Sequence, residues 1–256
     1  MMKLAVLGSP ISHSLSPKIH GAAYQALGLQ AEYGSHEVSE SIFLDFMEAH
    51  SPSKWRGFSL TMPLKEIALS VCQEVDEVAR SIGAINTLVS NEEGWIGYNT
   101  DLAGFSYLFA QMELNEIAIL GAGGTAKAAL SALASLGKSA KVFRRDSKRD
   151  ESLRQISAAV EIMDWQDVSK AFEASLLVNT LPIAAFEQPE LRSNPRGKVM
   201  DSLYHPWPTP LMATSKERVL FTGKDLLVAQ ALSQIELFSR RTIDKPRYFK
   251  ELRALI

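Results

Sequence analysis

Ile117-Ala118-Ile119-Leu120-Gly121-Ala122-Gly123-Gly124-Thr125-Ala126 is the stretch that decides the fold. Four apolar residues in a row read as a short buried strand, and Gly121, Gly123 and Ala126 follow in the spacing G-x-G-x-x-A. Small residues there let the backbone approach a pyrophosphate, whose charge is met by free N–H groups at a helix N-terminus. The spacing alone is a weak signal; its position between a strand and a helix makes it a dinucleotide-binding turn, against the competing reading of a tight turn with no ligand. Ala126, Ala129, Leu130, Leu133 and Leu136 share one face of the expected helix, and Gly137 stops it. Ala140 to Phe143, Leu176 to Val178 and Lys198 to Met200 read as further strands of the same sheet, which makes this part a βαβ-type nucleotide domain.

The choice of dinucleotide is made about 20 residues beyond the first glycine, where an acid would hold the ribose hydroxyl of NAD and an arginine the 2′-phosphate of NADP. Phe143-Arg144-Arg145 stands there, with Lys148 and Arg149 beyond; no acid closes the strand, although Asp146 follows. The planar guanidinium fork matches a phosphate dianion, so NADP(H) is the expected cofactor, the alternative being a solvated basic surface.

Upstream, Lys3 to Gly8 reads as a buried strand and Ser16-Pro17 as a helix start, with Ser16 as cap and Pro17 at the first helical position. Gly28 ends that helix. A strand over 32–38, a helix over 41–49 and a strand over 56–61 stopped by Pro63 continue the alternation, which implies a parallel α/β layer. The loop from Gly8 to Pro17 holds four serines; with Ser16 as cap, Ser14 is left for a small ligand at the positive helix end. Lys65 follows a strand broken at proline and Asp101 follows Asn99-Thr100; taken singly they read as a surface lysine and a helix-start acid. After a helix over 102–112 and the nucleotide domain, residues 224–256 are helical, and Pro246 opens the last short helix.

Composition sets the outer bounds. The 256 residues are 46% apolar and 22% charged, with 15 Gly and 11 Pro, as in ordinary globular chains and unlike disordered or collagenous ones. Twenty-seven Lys and Arg against 29 Asp and Glu leave a charge of −2, which argues against nucleic acid as the main partner. The single cysteine, Cys72, forbids an internal disulfide and reads as a small buried hydrophobe. The histidines at 13, 20, 36, 50 and 205 show no metal-ligand spacing, so no metal site is expected. No stretch reaches the length of a signal-peptide core or a membrane span, and a cytoplasmic location is the expectation.

Taken in order, Gly8 to His20, Thr61 to Lys65, Gly83 to Thr87, Gly97 to Asp101, Gly121 to Ala126, Asn179 to Pro182, Asp201 to Pro206 with Thr209 to Leu211, and Gly223 to Gln230 make the chain resemble the shikimate dehydrogenase family over nearly its whole length. The resemblance implies a two-domain α/β fold: a parallel-sheet substrate domain from residues 1–101 and 224–256, a Rossmann-type NADP-binding domain from 102–223, and an active-site cleft between them. It implies NADPH-dependent, reversible reduction of 3-dehydroshikimate to shikimate, on the way to aromatic amino acids. Lys65 and Asp101 are then the catalytic pair. Ser14, Ser16, Thr61, Asn86, Tyr204 and Gln230 fall on substrate-holding positions. Gly121, Ala122, Gly123, Gly124, Thr125, Ala126, Arg144, Arg145, Arg149, Asn179, Thr180, Leu203 and Gly223 fall on cofactor-holding ones. A small molecule is the implied partner, with neither nucleic acid nor membrane, in a monomer or homodimer.

Departures from the family pattern fall mostly on the cofactor side. Ser59 stands where Asn is usual, Arg144 where Asn is common, Leu181 for a hydroxyl residue, Ala184 for Gly, and Asp225-Leu226 for Gly-Met; a late tryptophan is absent. Asp225 reads either as the N-cap of the helix from Leu226 or as a carboxylate beside the nicotinamide. Two other functions stand beside the first: an enzyme for quinate or an aminoshikimate, and a ligand-binding regulator without turnover. The Arg144-Arg145 pair argues against NAD-using quinate enzymes, and retention of Lys65 and Asp101 against the regulator.

Overall fold

In the computed structural model, which describes residues 1–188, 191 and 193–256, the first apolar run forms β1 (Met2–Gly8), buried from Leu4 onward. It is followed by α1 (Ser16–Ala26), β2 (Ala31–Glu37), α2 (Glu40–Ala49) and β3 (Gly57–Leu60). β1 pairs in parallel with both β2 and β3, as alternation of strand and helix requires. The sheet then departs from the expected parallel layer. Beyond β4 (Glu74–Val75) and α3 (Glu77–Ile82), β5 (Thr87–Ser90) and β6 (Trp95–Tyr98) form a hairpin, with β5 antiparallel to both β3 and β6. The connection between them is a few residues long, far short of a crossover, and Asn91 Oδ1 ties it by accepting from the N–H groups of Glu93 and Gly94. The sheet order is β2-β1-β3-β5-β6-β4.

Both faces of this sheet are covered at its centre, which explains why β1 from Leu4 onward and β3 are buried without alternation, whereas the edge strand β2 is not. One face packs Leu4, Ile19 and Tyr24 with Ile235 and Phe238; the other packs Leu7, Phe43, Phe58, Leu88 and Trp95.

After α4 (Asp101–Phe109), the chain builds β7 (Ile117–Leu120), α5 (Gly124–Ser135), β8 (Lys141–Arg144), α6 (Asp150–Ile156), β9 (Glu161–Asp164), β10 (Leu176–Asn179), β11 (Lys198–Asp201), α7 (Pro210–Ser215) and β12 (Val219–Phe221). These strands are all parallel, in the order β12-β11-β10-β7-β8-β9. The order turns back on itself at β7, so the end of β7 is the switch point at which such sheets bind ligands. Leu120, Phe143, Phe172, Leu177 and Val199 lie in its core. The chain closes with α8 (Gly223–Ser239) and α9 (Lys245–Arg253), the latter started by Asp244, whose side chain accepts from Arg247 N–H.

Two compact units result, Met1–Gly104 with Leu227–Ile256, and Phe105–Leu226. The divisions fall inside α4 and α8, a few residues past the expected 101 and 223, because both helices run on without a break.

Candidate active site

In the first unit, the polar residues gather where β1 and β3 end and β5 begins. Lys65 Nζ donates to Asp101 Oδ2 at 2.5 Å. Asp101 is the first residue of α4, a position where a helix favours negative charge, and its N–H donates to Asn99 Oδ1. Its second oxygen accepts from Asn86 Nδ2 at 2.8 Å. Asn86 Oδ1 in turn accepts from the backbone N–H of Thr100 at 2.8 Å. Gln230 joins from α8: its Oε1 accepts from Thr100 Oγ1 at 3.1 Å, and its Nε2 donates to Leu227 O at 2.8 Å. Gly104 makes this approach possible, since a Cβ there would lie 2.9 Å from Gln230 N. The Lys65 side chain keeps 21% of its surface exposed against 8% for Asp101, so the ammonium is the member of the pair that reaches solvent.

The expected division of labour between the serines is corrected. The N-cap of α1 is Leu15, without a side-chain cap, and Ser14 Oγ accepts from Ser16 N–H at 3.3 Å. Ser16 is buried and faces the Tyr33 hydroxyl, so its oxygen does not turn back onto the helix. Thr61 is half-buried and donates its N–H to Leu7 O. Ser14, Ser16, Thr61, Lys65, Asn86, Asp101 and Gln230 thus all belong to the first unit. Tyr204 belongs to the second, in the loop after β11, where burial pushes its hydroxyl up.

In the second unit, Gly121 has φ +103°, and a Cβ on it would lie 2.8 Å from Thr180 Oγ1; both facts demand glycine. Thr180 holds this turn by donating its N–H and its hydroxyl to Leu120 O. Ala122 and the extended Gly123 then lead into α5, whose first residues are Gly124, Thr125 and Ala126 and whose N-terminus no side chain caps. An uncapped helix start behind a close-approach glycine is what a pyrophosphate needs, so these residues fit a dinucleotide.

The basic strand end is less uniform than its sequence. Arg144 forms a two-pronged pair with Asp150, Nε to Oδ1 at 2.6 Å and Nη2 to Oδ2 at 2.9 Å, and Nη1 also contacts Asp164. These carboxylates hold its guanidinium firmly charged, and Arg144 ties the end of β8 to α6 and β9 instead of presenting a free fork. Arg145 is exposed and lies over the Trp165 ring at 5.6 Å; Arg149 is half-buried one short turn beyond.

Asn179 is likewise engaged by its own chain. It has no exposed surface; its amide donates to Asp201 Oδ1 at 2.7 Å and accepts from Leu181 N–H at 3.0 Å. Asp201 also receives Thr209 Oγ1 and the N–H of Leu203, which partly offset the upward push of burial on its carboxyl. These groups order the loops after β10 and β11, and Leu203 O accepts from Gly223 N–H. Asp225 is neither the N-cap nor a free carboxylate: α8 starts earlier, and Asp225 Oδ2 accepts from the N–H and hydroxyl of Thr222 at 2.7 and 2.6 Å, the reciprocal half of a capping box.

Three buried polar residues of the first unit, His20, Thr87 and Gln234, and the half-buried Tyr33 were given no role in the sequence reading. Gln234 carried a signal, since it follows Gln230 by one helical turn and shares its face. Among the described residues, no group of three or more His, Cys, Asp or Glu is placed to hold a metal ion, and no helix is long and apolar enough to cross a membrane.

A glycine turn at the switch point of a parallel sheet, in a chain that also carries a half-buried Lys–Asp pair, defines the class of dinucleotide-dependent α/β enzymes. Residues 6–88 match the family model described as shikimate dehydrogenase substrate binding domain. Over 255 residues the chain is 32% identical to shikimate dehydrogenase (NADP(+)) of Staphylococcus aureus strain MSSA476, covering 95% of this chain and 94% of that one. A crystal structure of the Mycobacterium tuberculosis shikimate dehydrogenase superposes with a TM-score of 0.85 at 33% identity, covering both chains completely. The Thermus thermophilus enzyme, solved in complex with NADP(H) and shikimate, superposes with a TM-score of 0.81 at 29% identity over both complete chains. The chain belongs to the shikimate dehydrogenase family.

Proposed function

We propose that the protein is an NADP-dependent oxidoreductase that interconverts 3-dehydroshikimate and shikimate. The observation that carries this reading is the Lys65–Asp101 pair, with Nζ 2.5 Å from Oδ2 and the ammonium the more exposed member, in a chain of this family. NADP(H), held by Gly121 to Ala126 with Arg145 and Arg149 at its 2′-phosphate, supplies or takes up the hydride when bound. Arg144 is left out of the phosphate site because its fork is engaged by Asp150 and Asp164.

The chain's own groups handle charge and position. As the ketone carbon is reduced, negative charge gathers on its oxygen, and Lys65 meets it with an N–H; in the reverse direction the same nitrogen takes the hydroxyl proton. Asp101 orients Lys65 by accepting from its Nζ. The hydroxyls of Ser14 and Ser16 stand near the start of α1, where a substrate carboxylate is favoured. Thr61, Asn86 and Gln230 offer the polar groups that ring hydroxyls require, and Tyr204 is the further residue assigned to substrate. The first unit is accordingly the substrate domain and the second the cofactor domain.

The test is NADPH formation from shikimate, repeated with quinate and with NAD⁺. Turnover of shikimate with NADP⁺ as the preferred pair is expected. Faster quinate turnover with NAD⁺, or binding of shikimate with no turnover, would overturn it. A cytoplasmic location and a monomer or homodimer complete the proposal, to be checked by fractionation and sedimentation.

A further inference from the structure

Behind Asn86 lies a chain of hydrogen bonds that runs in one direction. Gln234 is buried on α8, and its Nε2 donates to the backbone carbonyl of Asn86 at 3.2 Å and to Thr87 Oγ1 at 2.8 Å. A carbonyl can only accept, so the orientation of the Gln234 amide is fixed. Its Oε1 then faces two donors, Ser59 Oγ at 2.9 Å and His20 Nε2 at 3.1 Å. Ser59 itself accepts from Tyr33 Oη at 2.6 Å. With its lone pair taken by Gln234, the fully buried Thr87 hydroxyl sends its proton to Asn86 Oδ1 at 2.8 Å. Asn86 Oδ1 is pinned a second time by Thr100 N–H, which leaves Nδ2 as the edge that faces Asp101 Oδ1. The departure at Ser59 also has a place here: one short hydroxyl both receives from Tyr33 and donates to Gln234.

We propose that Gln234 is a positioning residue for the Lys65–Asp101 pair, acting through Thr87 and Asn86, with Ser59 and His20 setting the Gln234 amide. Every polar atom along this path is paired, so removal of one link leaves a buried group unsatisfied and lets the Asn86 amide turn. A turned amide sets its carbonyl oxygen against the Asp101 carboxylate and disturbs the oxygen pair that orients Lys65. The proposal rests on the catalytic reading of Lys65 and Asp101 given above.

The test uses full-length Gln234→Leu, Thr87→Val, Thr87→Ser and the Gln234→Leu/Thr87→Val double variant, with kcat and KM for shikimate at saturating NADP⁺ and a melting curve for each. Gln234→Leu and Thr87→Val are expected to lower kcat by about three- to tenfold, the worth of one buried hydrogen bond, with a smaller change in KM. Thr87→Ser, which restores the hydroxyl, should recover wild-type kcat. The double variant should be no slower than the slower single one, because both break the same path. A kcat loss under about twofold in folded Gln234→Leu, no rescue by Thr87→Ser, or losses that multiply in the double variant would overturn the proposal. Should Gln234→Leu fail to fold, the Thr87→Val and Thr87→Ser pair decides. Lys65→Ala in the same assay separates the two levels: its retention of kcat would refute the catalytic reading, whereas its collapse beside an unaffected Thr87→Val would refute the relay alone.

Discussion

Replacement of Lys65 by alanine isolates the charge that meets the reacting oxygen. An alkoxide about 3 Å from an ammonium, at an effective dielectric of about 20 to 40, is stabilised by roughly 3–5.5 kcal/mol. That range suits a side chain with 21% of its surface in water. The loss corresponds to about 10²–10⁴ in rate, in line with what a single acid–base group contributes. The neutral ketone or hydroxyl of the ground state gains far less from the same charge, so KM for shikimate should move little while kcat collapses. Asp101 keeps Asn86 Nδ2 and its place in the first turn of α4, so the variant should fold, with a lowered melting temperature because a buried carboxylate has lost its partner. Steady-state NADPH formation over a range of shikimate concentrations, with a melting curve alongside, measures both quantities. A variant that keeps more than about half the wild-type kcat would remove Lys65 from the chemistry. A raised KM at unchanged kcat would make it a binding residue only.

Two further outcomes follow from the same geometry. Arg145→Ala should weaken NADP by about tenfold or more while leaving NAD nearly unchanged, since only NADP carries the phosphate; Arg144→Ala, which breaks the pair with Asp150, should instead lower the melting temperature and affect both cofactors alike. KM values for the two cofactors decide, and equal losses in Arg145→Ala would refute its role. Burial lowers the His20 pKa from 6.5 to about 3, so the folded protein keeps it neutral while the unfolded chain takes up a proton below about pH 6.5. Its contribution is therefore complete above about pH 6.5 and is lost as pH falls toward 3, by up to about 1.4 kcal/mol per pH unit. Urea unfolding at about pH 7 and pH 5 should show a larger drop in stability for wild type than for His20→Gln, and equal drops would show that His20 is not the group concerned.

Much of the architecture was legible because local rules state it directly. Gly28 and Gly137 end helices at positive φ, and apolar runs such as Ile117 to Leu120 become strands buried on both faces. The β5–β6 hairpin was not legible as an antiparallel insertion: Thr87 to Ser90 is as apolar and short as its parallel neighbours, and only pairing with β3 sets its direction. Capping is similar. Ser16 has the right chemistry for a cap, yet α1 starts without a side-chain cap, and Tyr33, distant in sequence, faces the Ser16 hydroxyl.

The sequence by itself determined the class of fold, the glycine turn and the basic strand end, since each depends on residue type and near-neighbour spacing; Asn86, Lys65 and Asp101 stood out only through the resemblance to a known family. Only the tertiary structure decided which of those residues are spent on one another. Arg144 is taken up by Asp150 and Asp164, Asn179 by Asp201, and Asp225 by Thr222, while Gln234 enters the network behind Asn86. The reason is that a hydrogen-bonding group acts through the partner it faces, and partners 22 or 148 residues apart in the chain are chosen by packing of strands and helices, not by sequence pattern.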